Sequence, residues 1–515
     1  MTVNKRKSLL LAVGVLLACS ALVLFLRLPA LPQSQIDWDE SIYLLMARSL
    51  LQGNAPYTAI WDHKPPGIYL LFALAQVLFG QTVLAIRLLA LLVVTATCFL
   101  LWLYGRHVLG SRSVGALAAL FYALLSTQNG GLASNAEILF APFTVAALLL
   151  LRWRTGVPTA IRPQRRLTFL AAGLLLGAAI QIKAIAGMEL VAALALIALT
   201  PLCGRQQASR PAFRAAACAA AWVMAGALLP TLVAAAAFAL SGHWSDYLYA
   251  NFTANAIYLR GAPTLMPAAV MAALLSQARG ATLLWIAALA ALPLAALIRR
   301  RHPHTLLELG VLGLWLVCTL AATLLSRRLF PHYFLQTLPP FSLLAALVIV
   351  QAVRLDSHLP RARQGLLIGL ILAIGLAHPA ARPVQQSLGE IQALLAGTPR
   401  VELLVYTANY LRERMAPGDY LYVAEGPPML YYLTEAAIPT RYVLPTILND
   451  DGAAMAGIDP LAERERIMAL RPRYVVLPED YQRDPAFLAR LQTHLAEDYL
   501  LERSLQGILL YRLAP

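Results

Sequence analysis

Charge is what this chain has least of. Only 13% of its 515 residues are Asp, Glu, Lys or Arg, while 59% are hydrophobic, and the mean hydropathy is +0.66. Such a composition excludes an ordinary soluble globule and points to a polytopic membrane protein. Lysine is scarcer still: of the 41 basic residues only Lys5, Lys7, Lys64 and Lys183 are lysine. Cysteine is equally sparse. Cys19, Cys98, Cys218 and Cys318 fall in apolar runs and Cys203 in a basic loop, which excludes a disulfide framework and a cysteine metal site. No internal repeat is visible. The net charge of +15 does not indicate nucleic acid, because the basic excess sits in short loops suited to anionic lipid headgroups.

What is present is a succession of apolar runs. The first, Leu9 to Leu26 behind Asn4-Lys5-Arg6-Lys7, is too long for a signal peptide and lacks a clear cleavage site, so it is expected to be a retained span. Further runs lie near 82–104, 114–127, 137–151, 167–187, 189–202, 215–240, 280–298, 305–325, 334–353 and 365–377, giving about eleven spans. Basic residues cluster at the N-terminus, at Arg106 and Arg112, and at 152–166, 205–214, 299–301 and 354–363. The positive-inside rule makes these loops cytoplasmic and places 27–81, 241–279, 326–333 and everything after about 378 on the opposite side.

Residues 1–378 are therefore expected to form an all-α polytopic membrane domain, and 379–515 a small soluble extracytoplasmic α/β domain. In the tail, VELLVYTANYLRERM (401–415), LAERERIMALRP and 485–497 have helical character, whereas YLYVAEG, RYVVLPED, YLLERS and GILLYRL read as strands.

The first outer loop concentrates the polar chemistry. Residues 36–67 read IDWDESIYLLMARSLLQGNAPYTAIWDHKPPG. Asp37 as N-cap with Glu40 three residues on makes a capping-box start, and Asp39 is favoured beside the positive helix end. The helix should run from Trp38 to about Gln52, stopped by Gly53 and Asn54. Trp38, Ile42, Leu45, Met46 and Ser49 share one face, which suits an amphipathic helix in the interface plane. Structure alone explains Asp39 as well as catalysis does. Lys64 is harder to explain structurally: Pro65 and Pro66 stiffen the chain, and Pro66 or Gly67 opens the next helix, ended by Gly80. An ammonium fixed just outside a helix N-terminus suits a phosphate, and where arginine is the default a retained lysine suggests a need for a compact point charge.

Other outward or intramembrane polar residues are Arg87, Asn135 with Glu137, Lys183, Arg260, Arg327, Arg328, His332 and Tyr333. Charge at membrane depth marks functional candidates. The plain structural readings are a helix-end snorkel for Arg87 and Lys183, an N-terminal helix acid for Glu137, and interfacial anchoring for His332 and Tyr333.

Taken as a set, Asp39-Glu40 with Tyr43, Gly53 to Tyr57, Lys64-Pro65-Pro66, Gly80 with Arg87, Asn135-Ala136-Glu137, GLLLGAAIQIK ending in Lys183, and PHYFLQTLPP from Pro331 resemble one family. It is the GT-C class of lipid-carrier-dependent glycosyltransferases, in the group of protein O-mannosyltransferases (glycosyltransferase family 39-like) and the lipid A aminoarabinose transferase. The resemblance covers most of the membrane domain and implies a multi-span enzyme that takes a sugar from a polyprenyl phosphate on the extracytoplasmic side. On the matching positions it implies Asp39, with Glu40 beside it, as the catalytic carboxylate. Lys64 would bind the donor phosphate, helped by Arg260 or Arg327. Asp37, Tyr43, Tyr57, His63, Arg87, Glu137, His332 and Tyr333 are substrate-binding candidates.

The chemistry that follows is a single inverting displacement. The carboxylate takes the proton of an acceptor hydroxyl as its oxygen attacks the anomeric carbon, and Lys64 stabilises the departing phosphate. No cofactor is required; a divalent metal has carboxylate ligands available in Asp37, Asp39 or Glu137, but nothing demands one. The expected partners are the lipid-linked donor, membrane lipids, and an acceptor glycan, lipid or protein, with no nucleic acid. The Ala, Leu and Arg bias suggests a bacterial inner membrane, with the N-terminus cytoplasmic and the C-terminal domain periplasmic. Two alternatives stand beside this reading: a lipid-linked sugar flippase or transporter, and an O-antigen ligase or polymerase, for which Arg327, Arg328 and His332 are the relevant residues.

Overall fold

The computed structural model describes residues 3–155, 163–203, 209–298, 303–355, 360–398, 402–448, 450–481 and 485–515. Part of the basic sequence within 152–166, 205–214 and 354–363, and all of 299–301, lies outside the described residues.

Among the described residues nine helices are long and apolar enough to cross a membrane, from Arg6–Ala30 to Ala362–Leu395. A tenth span is available if Pro267–Gly280 and Thr282–Ile298, bent by 111° at their junction, count as one broken span. The difference from about eleven has a local cause. The run at 114–127 is the Arg112–Leu125 helix of 14 residues, about 21 Å long and too short to cross a hydrocarbon core of about 30 Å unaided.

The described chain divides into two compact units that interleave in sequence. The first comprises Met1–Leu31, Arg87–Ala234 and Pro263–Gln392. Its core is built from Val94, Leu101, Tyr104, Phe121, Tyr122, Leu312 and Trp315 among others. Small residues bring its helices together. A Cβ on Gly105 would lie 2.3 Å from the Gly115 Cα, and one on Gly173 would lie 2.1 Å from the Val223 carbonyl oxygen. Apolar burial gives helices little reason to associate inside lipid, so close backbone approach of this kind supplies the packing.

The second unit comprises Pro32–Ile86, Ala235–Ala262 and Ala393–Pro515. The boundary expected at 378 falls inside one continuous helix, Arg361–Leu395. The expected strands of the tail form a four-stranded sheet in the order β1-β2-β4-β3, with β1 Leu421–Val423, β2 Tyr474–Pro478, β3 Tyr499–Leu505 and β4 Ile508–Leu513. β1 runs parallel to β2, pairing Leu421 with Tyr474. β2–β4 and β4–β3 are antiparallel, and a bulge between Leu501 and Arg503 interrupts the last pair. The helices Leu403–Arg412, Pro460–Ala469 and Pro485–Asp498 correspond to the expected helical segments.

Within this unit the first-loop helix is Trp38–Leu51, and the Asp37–Glu40 capping box is present. Burial extends beyond the apolar stripe to Ser41, Tyr43, Leu44 and Ala47, because the helix packs against both Gly67–Phe79 and Met429–Thr434. Gly67–Phe79 ends at Gly80, whose φ of 90° suits glycine.

Candidate active site

The capping geometry separates the two adjacent acids of the first loop. Glu40 is fully buried, and its Oε2 accepts hydrogen bonds from the backbone N–H groups of Ile36 (3.2 Å) and Asp37 (3.4 Å). Asp37 accepts from the Asp39 N–H at 3.0 Å. These two carboxylates hold the helix start. Asp39, one residue into the helix, keeps 29% of its side chain exposed, so unlike Glu40 it is accessible.

Asp39 Oδ2 accepts a hydrogen bond from the Tyr43 hydroxyl at 2.9 Å, one helical turn on. The same oxygen lies 3.4 Å from Lys64 Nζ. Burial pushes the Tyr43 hydroxyl well above its ordinary range, and the charges of Asp39 and Asp62 add to that. Tyr43 therefore stays protonated and donates, while its ring lies 5.3 Å from the Lys64 ammonium.

On the other side of Lys64 stands Asp62, 3.8 Å from Nζ. Asp62 is buried, and its Oδ2 accepts from the Tyr69 hydroxyl at 2.9 Å. Its Oδ1 accepts from the His63 backbone N–H at 2.7 Å and lies 3.2 Å from His63 Nδ1. Burial alone would raise the Asp62 carboxyl, but the Lys64 ammonium and the His63 interactions outweigh it and hold the group well below the usual carboxylate range. Asp62 is thus ionised throughout the physiological range. Sequence reasoning passed over it; the available signal was an acid two residues before the one lysine of the loop.

The backbone around Lys64 is fixed from several directions. Tyr57, in the left-handed region at φ 74°, donates its hydroxyl to the Lys64 carbonyl at 2.8 Å. Asn251 donates to the Tyr57 hydroxyl oxygen at 3.1 Å, and Asn255 to the His63 carbonyl at 2.8 Å. The Tyr258 ring centre lies 5.2 Å from that of His63. Asn251, Asn255 and Tyr258 were not anticipated. They come from the loop at 241–279, and Asn255 and Tyr258 share the helix Ala254–Arg260, at whose end Arg260 is exposed.

The remaining candidates belong to the first unit. Lys183 does not simply snorkel: its ammonium forms an ion pair with the buried carboxylate of Glu137 and lies 4.0 Å from the Tyr333 ring centre. His332 meets Tyr333 edge-on at 4.7 Å and stacks on Phe330 at 5.9 Å. Arg327 has a left-handed backbone, φ 54°, and Arg87 is buried. Among the described residues no group of three or more His, Cys, Asp or Glu side chains is placed to hold a metal ion.

Residues 63–229, about a third of the chain, match the family model of dolichyl-phosphate-mannose-protein mannosyltransferases. That segment includes Lys64, Arg87, Glu137 and Lys183 and begins after Asp39. The fold agrees. ArnT from Cupriavidus metallidurans bound to undecaprenyl phosphate superposes with a TM-score of 0.62 at 15% identity, over 97% of each chain.

Over residues 63–229 the chain is similar to glycosyltransferases in sequence, and over nearly its whole length it shares the fold of ArnT. The oligosaccharyltransferase of Archaeoglobus fulgidus is also similar, with a TM-score of 0.57 at 15% identity over 91% of this chain and 70% of that one. The same organism's oligosaccharyltransferase AglB, in complex with an inhibitory peptide and a dolichol-phosphate, gives 0.53 at 14% identity over 98% and 74%. At such identities the solved structures speak to the fold alone, and the family match speaks for the third of the chain it covers. No sequence among curated proteins matches the chain. The chain is an integral multi-pass membrane protein, and the sequence match favours an enzyme over the transporter reading.

Proposed function

We propose that this enzyme transfers a sugar from a polyprenyl-phosphate carrier to an acceptor hydroxyl on the extracytoplasmic side of the membrane. Asp39 acts as general base and Lys64 binds the donor phosphate. The observation that carries the proposal is the 3.4 Å contact between the accessible Asp39 carboxylate and Lys64, with Tyr43 orienting the carboxylate. The family match and the lipid phosphates bound by ArnT and AglB support the choice of donor.

The electrostatics of the trio set the order of events. Lys64 stands between Asp39 and Asp62, so its ammonium is already held by carboxylates. An arriving phosphate must take the ammonium from Asp39, a contact already looser than a tight N–H···O⁻ bond. Asp62, buried and ionised, keeps the lysine charged during the exchange. With the ammonium drawn toward the phosphate, Asp39 becomes a stronger base for the acceptor proton. As the acceptor oxygen attacks the anomeric carbon, the bond to the phosphate oxygen breaks and its electron pair leaves with the lipid phosphate. Lys64, aided by Arg260, stabilises that charge, and a single displacement inverts the anomeric centre. Glu40 is set aside as the base because its carboxylate caps the helix.

No metal is assigned a part, so transfer should persist in a chelator. The proposed setting is a bacterial inner membrane, with the N-terminus cytoplasmic and Asp39 facing the periplasm. The test is transfer of labelled sugar from polyprenyl phosphate by purified protein. Asp39→Asn should lower kcat by about 10²–10⁴, and Lys64→Ala should mainly weaken use of the donor. Robust transfer by Asp39→Asn would remove Asp39 as the base.

A further inference from the structure

The second unit holds a cleft of about 460 Å³ that the transfer reaction leaves unused. The Trp38–Leu51 helix lines it through Leu45, Arg48 and Ser49, continued by the cap residue Gln52, and its rim carries Asn54, Gln81 and Glu435. At about 100° per residue, positions 45, 48, 49 and 52 lie on the side of the helix away from Asp39 and Tyr43. The cleft is therefore separate from the Asp39–Lys64 site, although one helix supports both.

Its lining mixes three kinds of surface. Leu45, Ile60 and Ile438 are apolar. The amides of Gln52, Asn54 and Gln81 each offer donors and an acceptor. The two charges are of opposite sign. Arg48 is committed to the protein, lying 3.7 Å above the Tyr432 ring and donating to its carbonyl at 3.0 Å. Glu435 is exposed on the rim in the left-handed region, φ 58°, a strained conformation for a residue other than glycine or asparagine.

A committed guanidinium and a rim carboxylate do not select an anion, and so polar a lining does not select a hydrocarbon. A ligand whose every hydroxyl both donates and accepts, and whose ring C–H face is apolar, matches all three surfaces. We propose that this cleft binds a neutral mono- or disaccharide as a carbohydrate subsite distinct from the site of transfer. The volume falls in the range of small-molecule sites, roughly 300–1,000 Å³.

The test uses the full-length protein in lipid nanodiscs, which avoids maltoside detergents whose headgroups would fill the cleft. Saturation-transfer NMR would be recorded with methyl α-mannopyranoside, methyl α-glucopyranoside, maltose and lactose. The proposal expects saturation transfer to at least one of them, lost in Ala436→Trp, which fills the cleft, and retained in Asp39→Asn. Should Ala436→Trp fail to fold, the exposed pair Gln52→Leu and Gln81→Leu removes the hydrogen bonds without filling space, and roughly three- to tenfold weaker binding for each is expected. Absence of transfer from every sugar, transfer unchanged by these variants, or displacement of the sugar by inorganic phosphate would overturn the proposal. Sugar transfer that is lost in Asp39→Asn but survives Ala436→Trp marks instead the reacting site, so a failure here is distinguishable from a failure of the reaction proposed above.

Discussion

Replacing Asp62 with Asn removes one negative charge from the buried side of Lys64 and leaves the shape nearly unchanged. At 3.8 Å the gross attraction between the two charges is about 4 kcal/mol at an effective dielectric near 20. Removing one partner of a buried pair typically costs about 3–5 kcal/mol. Here the loss is moderated, because Asp39 still faces Lys64 and the Asn carbonyl can still accept from the His63 N–H. A destabilisation of about 2–4 kcal/mol at neutral pH follows. The sign of the pH dependence comes from the depressed carboxyl. Asp62 contributes its full stability above its unfolded pKa of about 3.9, and that contribution declines as pH falls toward the lower folded value. Lowering the pH from about 7 to about 3 should therefore narrow the gap between wild type and Asp62→Asn by about 1 kcal/mol. Unfolding midpoints of the two proteins, measured in the same lipid or detergent at both pH values, check this. A variant as stable as wild type at neutral pH, or a gap that stays constant on acidification, would refute the account of Asp62 as the ionised partner of Lys64.

Three further outcomes concern the frame around the site. Asp37→Ala removes the N-cap side chain that accepts the Asp39 N–H, and should cost about 1 kcal/mol of stability in denaturant unfolding; a neutral effect would mean that Glu40 alone holds the helix start. Gly105→Ala places a Cβ 2.3 Å from the Gly115 Cα, and should destabilise the first unit by about 1–3 kcal/mol, read as a lower thermal midpoint and poorer recovery from membranes. A double-mutant cycle on Lys183→Ala and Glu137→Gln should give a coupling of about 0.5–3 kcal/mol, whereas additive effects would show that their ion pair contributes nothing.

The legible part of this fold was local. The Asp37–Glu40 capping box, the helix from Trp38, and the stop of the next helix at Gly80 were all readable, because caps and glycine stops depend on residues a few positions apart. The strands of the tail were readable from their composition, but not their order: β1 lies beside β2 and β4 lies between β2 and β3, since pairing depends on contacts far apart in the chain. The short helix Met429–Thr434 was missed, being too brief to show a period. The apolar run at 114–127 did not reveal that its helix, Arg112–Leu125, is only 14 residues long.

By itself the sequence determined that the chain is a membrane protein, that its acids and Lys64 share one loop, and that Asp39 or Glu40 with Lys64 are the groups to examine; the choice of Asp39 rested on the family resemblance. Composition and short spacings carry that information, because desolvation and helix capping act residue by residue. Only the tertiary structure decided what each carboxylate does. Asp39 and Glu40 are neighbours in sequence, yet helical geometry turns one toward Tyr43 and Lys64 and the other back onto the Ile36 and Asp37 amides. The role of Asp62 required burial beside Tyr69 and Lys64, and the support from Asn251 and Asn255 required a loop almost two hundred residues away to fold onto the first. Those are long-range electrostatic and packing facts, and no short window of sequence contains them.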